Sequence, residues 1–166
     1  MTHTSPSPTS ADTRPAAAVM IATFAVGALG VFVGFSTINA DPPSLRWACL
    51  LAVGGGGLLS FIRHSLLHRS DAARMGWDFG TRNNFQIEVG LANLAWGAVA
   101  VLVVALGLGL AAEATLILVF GVYLGSVTIM QIFFSGGQGR SLPALIGIGS
   151  FAVLLLALGV QGVTAA

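Results

Sequence analysis

The sequence predicts an all-α fold, a polytopic membrane helical bundle with about five transmembrane helices, and three observations carry that expectation. Charged side chains make up only 8% of the 166 residues and hydrophobic ones 55%, with a mean hydropathy of +0.90. A water-facing domain carries roughly 25% charged residues, so this chain has too little charge to cover a solvated surface. Uncharged apolar runs of membrane-crossing length recur along it, and the arginines gather at alternate ends of those runs.

Residues 1–15, MTHTSPSPTSADTRP, mix Ser, Thr and Pro without apolar periodicity and read as a flexible tail. A single transmembrane domain, 16–163, follows. Its first span runs from Ala16 to Ile38 without a charge, about 34 Å as a helix against a hydrocarbon core of roughly 30 Å. A signal peptide ending near Ala40 is the competing reading, but a signal core is normally about 7 to 15 residues long. Asp41, Pro42 and Pro43 break the helix, Ser44 is placed as an N-cap, and Trp47 stands where an interfacial aromatic belongs. Span two covers 45–62, with Arg46 and Arg63 near its ends.

The stretch 63–84, RHSLLHRSDAARMGWDFGTRNN, holds four arginines, two histidines and two aspartates and reads as the one substantial loop, its first part extending the helix. Asn83 and Gln86 have capping-box spacing, each side chain answering an orphan donor at a helix start. Span three covers 85–106. GLGLAAEA then offers two glycines and Glu113 as a turn before span four, 114–134. SGGQGRS, 135–141, is a second turn-rich loop, and Pro143 sits at the start of span five, 142–163.

Arginines near span ends are retained in the cytoplasm. Five spans place Arg14, Arg63, Arg69, Arg74, Arg82 and Arg140 on one side and Arg46 alone on the other. The expected location is therefore the cell membrane, with the N-terminus and the 63–84 loop cytoplasmic and the C-terminus external.

Helices in lipid associate through small residues and polar contacts. Gly30 with Gly34 and Gly121 with Gly125 form GxxxG pairs, and Gly90 and Gly97 share a side of span three. Four consecutive glycines, Gly54 to Gly57, lie mid-span at a propensity cost of up to about 1 kcal/mol each. Close packing, against span one, is one explanation; a broken helix lining a cavity is the other.

Few side chains offer chemistry. Glu88 is the only acid within a predicted span, and an intramembrane ionisable group is a functional candidate. Its place one turn inside span three also suits structural pairing with Arg82 or Arg63. Gln86, Gly90, Asn93 and Gly97 form a small, polar stripe, and Asn93 needs a partner, for which Gln131, Ser126 and Thr128 are candidates. His64 and His68, four apart, would share a helix face and are weak metal or haem-edge candidates, with Glu88, Asp71 or Asp78 to complete a site. The lone Cys49 excludes a disulfide framework and reads as a buried, unreactive thiol. No cofactor is predicted. Lysine is absent and the seven arginines are balanced by six acids, so no basic patch points to nucleic acid as a partner; the lipid bilayer is expected, together with further copies of the chain or a larger membrane complex.

Arg63 and His64 after a span, Gly76 and Trp77 in the next loop, and the run FQIEVGLANL from Phe85 to Leu94 resemble the pattern of an uncharacterised family of small bacterial multi-span integral membrane proteins. The resemblance covers about a quarter of the chain and extends weakly to the loop around Gly136 to Arg140. Where members carry a histidine and a Gly-Asn pair, this chain has Gln131 and Gly-Gln. The resemblance implies an integral membrane protein of unknown function and supplies no substrate.

With no phosphate-cradling loop, haem-attachment motif or nucleophile elbow, the leading expectation is a non-enzymatic accessory or assembly-type membrane subunit. The alternatives are a small proton-coupled transporter using Glu88, Asn93 and Gln131, and a membrane metal or haem protein using His64 and His68.

Overall fold

A computed structural model of the chain describes residues 11–78, 80–134 and 142–166. The described residues form helices and connecting turns, with no strand among them. We number the helices α1 (Arg14–Thr37), α2 (Arg46–Leu66), α3 (His68–Arg74), α4 (Asn84–Ala105), α5 (Leu110–Phe133) and α6 (Leu142–Thr164). All except α3 are long and apolar enough to cross a membrane.

The helices run up and down, and α2 is their centre. Half of its apolar window is buried, against 17–33% for the other four. It packs along α1 on one side and α4 on the other, while α5 and α6 form a closely paired hairpin laid against α2 and α1. Residues Cys49–Gly55 and Ile62–Leu66 are π-helical, but α2 remains continuous. The four glycines therefore do not break it. A Cβ on Gly57 would lie 2.7 Å from the Asn93 carbonyl oxygen and 2.8 Å from the Gly97 nitrogen, so here two backbones touch. A Cβ on Gly55 would lie 2.7 Å from the Val26 side chain of α1, a side-chain contact and not a backbone one. The close approach expected against span one is thus made chiefly against span three.

The other glycine pairs also serve packing within the chain. Gly30 faces the Ala52 nitrogen, Gly34 faces Ala48 and Leu158, and Gly121 lies against Leu155 and Leu156, whereas a Cβ at Gly125 would meet nothing within 4 Å among the described residues. Cys49 is buried in the core with Ala48, Ala52, Ile117, Leu155 and Leu158.

Several boundaries move for identifiable reasons. Helix α1 starts at Arg14 with Pro15 in its first turn, where a missing N–H costs nothing. Residues 11–15 of the expected flexible tail are tied down: Ala11 N–H donates to Asp78 (3.2 Å), and Ser70 Oγ donates to the Asp12 carbonyl (2.6 Å) while accepting from Ala16 N–H (3.2 Å). Residues 1–10 lie outside the described residues. The expected 63–84 loop begins as helix, since Arg63 to Leu66 complete α2 and α3 follows. Helix α5 starts at Leu110 rather than Ala114, because Gly107 and Gly109 turn the chain at positive φ (62° and 87°) and leave Glu113 in the first helical turn. The 135–141 loop, with Gly136 and Arg140, lies outside the described residues.

Glu113 does more than mark a turn. Its buried carboxylate accepts a 3.2 Å hydrogen bond from the N–H of Leu45, the residue that caps α2. Ser44, expected as that cap, instead lies one position earlier; its Oγ accepts from Arg46 N–H at 3.4 Å and its carbonyl accepts from Thr37 Oγ1 at 2.6 Å. Glu113→Ala is expected to orphan the Leu45 N–H at a cost of about 1–3 kcal/mol, read as a lowered thermal midpoint in detergent micelles, with Glu113→Gln recovering part of the loss.

Candidate functional site

The polar groups concentrate where the end of α2 meets α3 and the start of α4. Asp71, in α3, is completely buried. Its Oδ1 accepts from Arg74 Nε (3.1 Å) and Nη2 (2.9 Å), with Arg63 Nε 3.8 Å away. Its Oδ2 accepts from Gln86 Nε2 at 2.7 Å and stands 2.9 Å from His64 Nδ1. Burial by itself would raise the Asp71 carboxyl. The His64 contact and the Arg63 charge, together with Arg74, outweigh it and hold the carboxyl well below the ordinary range.

The geometry also fixes the His64 tautomer. Arg63 Nη2 lies 2.7 Å from His64 Nε2, and a guanidinium can only donate, so Nε2 accepts and the ring proton sits on Nδ1, facing Asp71. Arg63, His64 and Asp71 thus form a directional chain of donors ending on one carboxylate. A second pair lies beside it, where Arg69 donates to Asp78 at 3.2 Å and holds that carboxyl below its ordinary value.

Gln86 reaches this cluster by leaving its expected role. The Asn83 side chain caps α4 by accepting from Gln86 N–H at 3.1 Å, which is half of the capping box. The Gln86 side chain turns to Asp71 instead of back to Asn83, because a buried carboxylate is the stronger acceptor. Ser65 Oγ donates to the Ile87 carbonyl of α4 (3.0 Å), and Gly90 leaves the room for it.

Above the cluster, all five long helices enclose a cavity of about 90 Å³. Ser60, Arg63 and His64 of α2, Asn93 of α4 and Tyr123 of α5 supply its polar wall. Phe24, Phe120 and Phe151 line the cavity from α1, α5 and α6. A space of that size holds a few waters or a small molecule. Gly56 opens onto it: a Cβ there would stand 3.8 Å from Phe120, an ordinary contact.

The structure brings together only part of the expected candidate set. Arg63, His64 and Asn93 share the cavity. Asn93 finds its partner within its own helix, donating to the Val89 carbonyl at 2.8 Å, and not in Gln131, Ser126 or Thr128. Thr128 likewise donates to Leu124 of its own helix. Glu88 is exposed, with no ion pair to Arg82 or Arg63 among the described residues. Gln131 lies outside the cavity lining, and its Oε1 has no hydrogen-bond partner among the described residues. His64 and His68 do not share a face, because the helix is interrupted at Leu67 (φ −104°, ψ 25°) and His68 Nδ1 donates instead to the Ser65 carbonyl at 3.0 Å. Among the described residues, no three His, Cys, Asp or Glu side chains group as metal ligands would.

A model of the family of unknown function DUF6790 matches residues 16–140 of the 166. The chain belongs to the DUF6790 family. The DUF6790 match takes in α1 to α5, and with them Arg63, His64, Asp71, Arg74 and Gln86 and the FQIEVGLANL run; α6 lies beyond it. No curated protein and no solved structure matches the chain.

Sequence reasoning passed over Asp71 as the hub, and Ser60 and Tyr123 as cavity residues. Asp71 carried one legible signal, its three-residue spacing to Arg74, which suits pairing on a helix. Ser60 and Tyr123 carried none, since a hydroxyl within an apolar run is indistinguishable from one bonded to its own helix.

Proposed function

We propose that this DUF6790 protein is a non-enzymatic integral membrane protein of the accessory or assembly type, which holds a small molecule within its bundle. The observation that carries this reading is the cavity walled by all five long helices, whose polar lining includes Arg63 and His64, held in place by the Asp71 cluster. A carboxylate engaged by Arg74, Gln86 and His64, and kept ionised, is arranged to orient its neighbours and is badly placed to take up protons. Binding uses that rigidity; acid–base catalysis would need a group poised near neutrality.

The same reading places the N-terminus and α3 in the cytoplasm and the C-terminus outside. Arg14, Arg69, Arg74 and Arg82 lie at one end of the bundle and Arg46 at the other, which supports retention of the arginine-rich end. Reporter tags should read cytoplasmic at the N-terminus and external at the C-terminus, and two tags on one side would overturn the orientation.

Native mass spectrometry of the protein taken from its own membrane in nanodiscs tests the binding reading. The wild type should carry added mass that collisional activation releases as an intact small molecule, and that added mass should be missing from Gly56→Leu, whose side chain fills the cavity. Identical spectra for both proteins would remove the reading.

A further inference from the structure

We propose that the cavity binds an uncharged molecule through a hydroxyl group, which bonds Asn93, Ser60 and Tyr123 while its apolar body lies among the phenylalanine rings. The inference rests on the binding reading above and names the ligand class.

Three groups of the lining keep bonding capacity to spare. Asn93 is 3% exposed and donates from Nδ2 to the Val89 carbonyl, an orientation fixed because that carbonyl can only accept. Its Oδ1 is left with no hydrogen bond among the described residues. The hydroxyls of Ser60, which is 7% exposed, and of Tyr123 make none there either; neither turns back onto its own helix as Thr23 and Thr128 do. All three residues line the cavity. Polar groups held away from water without partners are costly, so a partner inside the space is favoured.

Chemistry selects the head of the ligand. The charged members of the lining are already engaged: Arg63 Nη2 donates to His64 Nε2, and both side chains are drawn to Asp71. The groups left to a ligand are neutral, and a buried ion without its own counter-charge is costly. Asn93 Oδ1 only accepts, whereas each hydroxyl donates or accepts. One hydroxyl on the ligand answers that set, giving its proton to Asn93 and receiving from Ser60 and Tyr123; a ketone or ether would leave Asn93 unmet. Water has the same capacity but gains nothing from Phe24, Phe120 and Phe151, which suit a hydrocarbon body. A volume of about 90 Å³ admits a body of a few carbons. A longer chain requires an exit between helices, so a free short alcohol and a lipid-derived one share the head and differ in length.

Tyr123 is the single tyrosine of the chain, so tyrosine labelled with an NMR-active carbon at Cζ gives one resonance at the cavity wall. That signal separates binding in the cavity from partition into lipid. The full chain in nanodiscs is titrated with 1-butanol, 1-dodecanol, butanone and butanoate as separate probes. A saturable shift is expected with the alcohols, at half-saturating concentrations about 10-fold or more below those of butanone and butanoate. Asn93→Ala should weaken alcohol binding to a similar degree and Ser60→Ala in part, while Gly56→Leu should abolish the shift with its thermal midpoint unchanged. Tighter 1-butanol supports a free alcohol and tighter 1-dodecanol a lipid-derived one. Butanone binding as tightly as 1-butanol, or undiminished binding by Asn93→Ala, would overturn the hydroxyl assignment. Butanoate binding as tightly as 1-butanol would overturn the uncharged ligand. No saturable shift with any probe, while Gly56→Leu still loses a bound molecule in the native spectra, would overturn the inference without touching the reading beneath it. Native spectra that show no bound molecule at all would remove both.

Discussion

Asp71→Asn is expected to destabilise the protein by about 3–5 kcal/mol, the range for removing one partner of a buried ion pair. The substitution preserves volume but leaves Arg63 and Arg74 facing a neutral amide, and it sets the Asn amide group against the donors of Gln86 or His64. Thermal or denaturant unfolding in mixed micelles measures the loss. The pH dependence has a definite sign. The folded carboxyl lies below its ordinary value of 3.8, so its stabilisation is fully present above that value and is lost as the pH falls through the depressed folded one. The gap between wild type and variant should therefore stay constant from pH 7 to pH 5 and close only in strong acid. A gap that closes near neutrality would show that another group controls the cluster.

The second large effect belongs to a residue with no side chain. Gly57→Leu places a Cβ 2.7 to 2.9 Å from three backbone atoms of Asn93 and Gly97, and backbone cannot rotate aside as a side chain can. Helices α2 and α4 must separate along a length that also includes the Ser65–Ile87 and Gln86–Asp71 bonds. Overpacking typically costs about 1–3 kcal/mol; here the upper end or beyond is expected, seen as lost monodisperse protein or a collapsed thermal midpoint. Gly56→Leu is the internal control. It is adjacent in sequence and gains the same helix propensity, but its Cβ has ordinary contacts, so stability should hold. Equal damage from both variants would place the cause in the tetrad's flexibility and not in the α2–α4 contact.

These two sites also show what the sequence made legible. The five long helices followed from uncharged runs, since a bilayer imposes a length and an apolarity that any window detects. The glycine tetrad announced close packing, but its partner could not be read, because the face that a π-helical stretch presents depends on the extra residue in each turn. Arg63, His64 and Asp71 read in the sequence as charge within the 63–84 loop, whose first part extends the helix. What kept them helical and buried is mutual satisfaction across three elements, including Gln86 fifteen residues away. Local patterns report a residue's own turn. Glu113 misled for the same reason: glycines mark a turn, yet its acceptor role depends on Leu45, sixty-eight residues earlier.

The central placement of α2 has a consequence for biogenesis. Its mean hydropathy, 1.3, is well below the 2.0 to 2.3 of its companions, and glycines occupy four of its positions. A nascent segment of this kind partitions weakly from the translocon into lipid. It is held in the finished bundle because α1 and α4 cover its two sides, and α4 emerges only after α2 and α3 have been synthesised. Under the membrane reading proposed above, stable insertion of α2 would then be a collective event, with α1 available to shelter it first and α4 supplying the enclosure through the Gly57 contact and the Asp71 cluster.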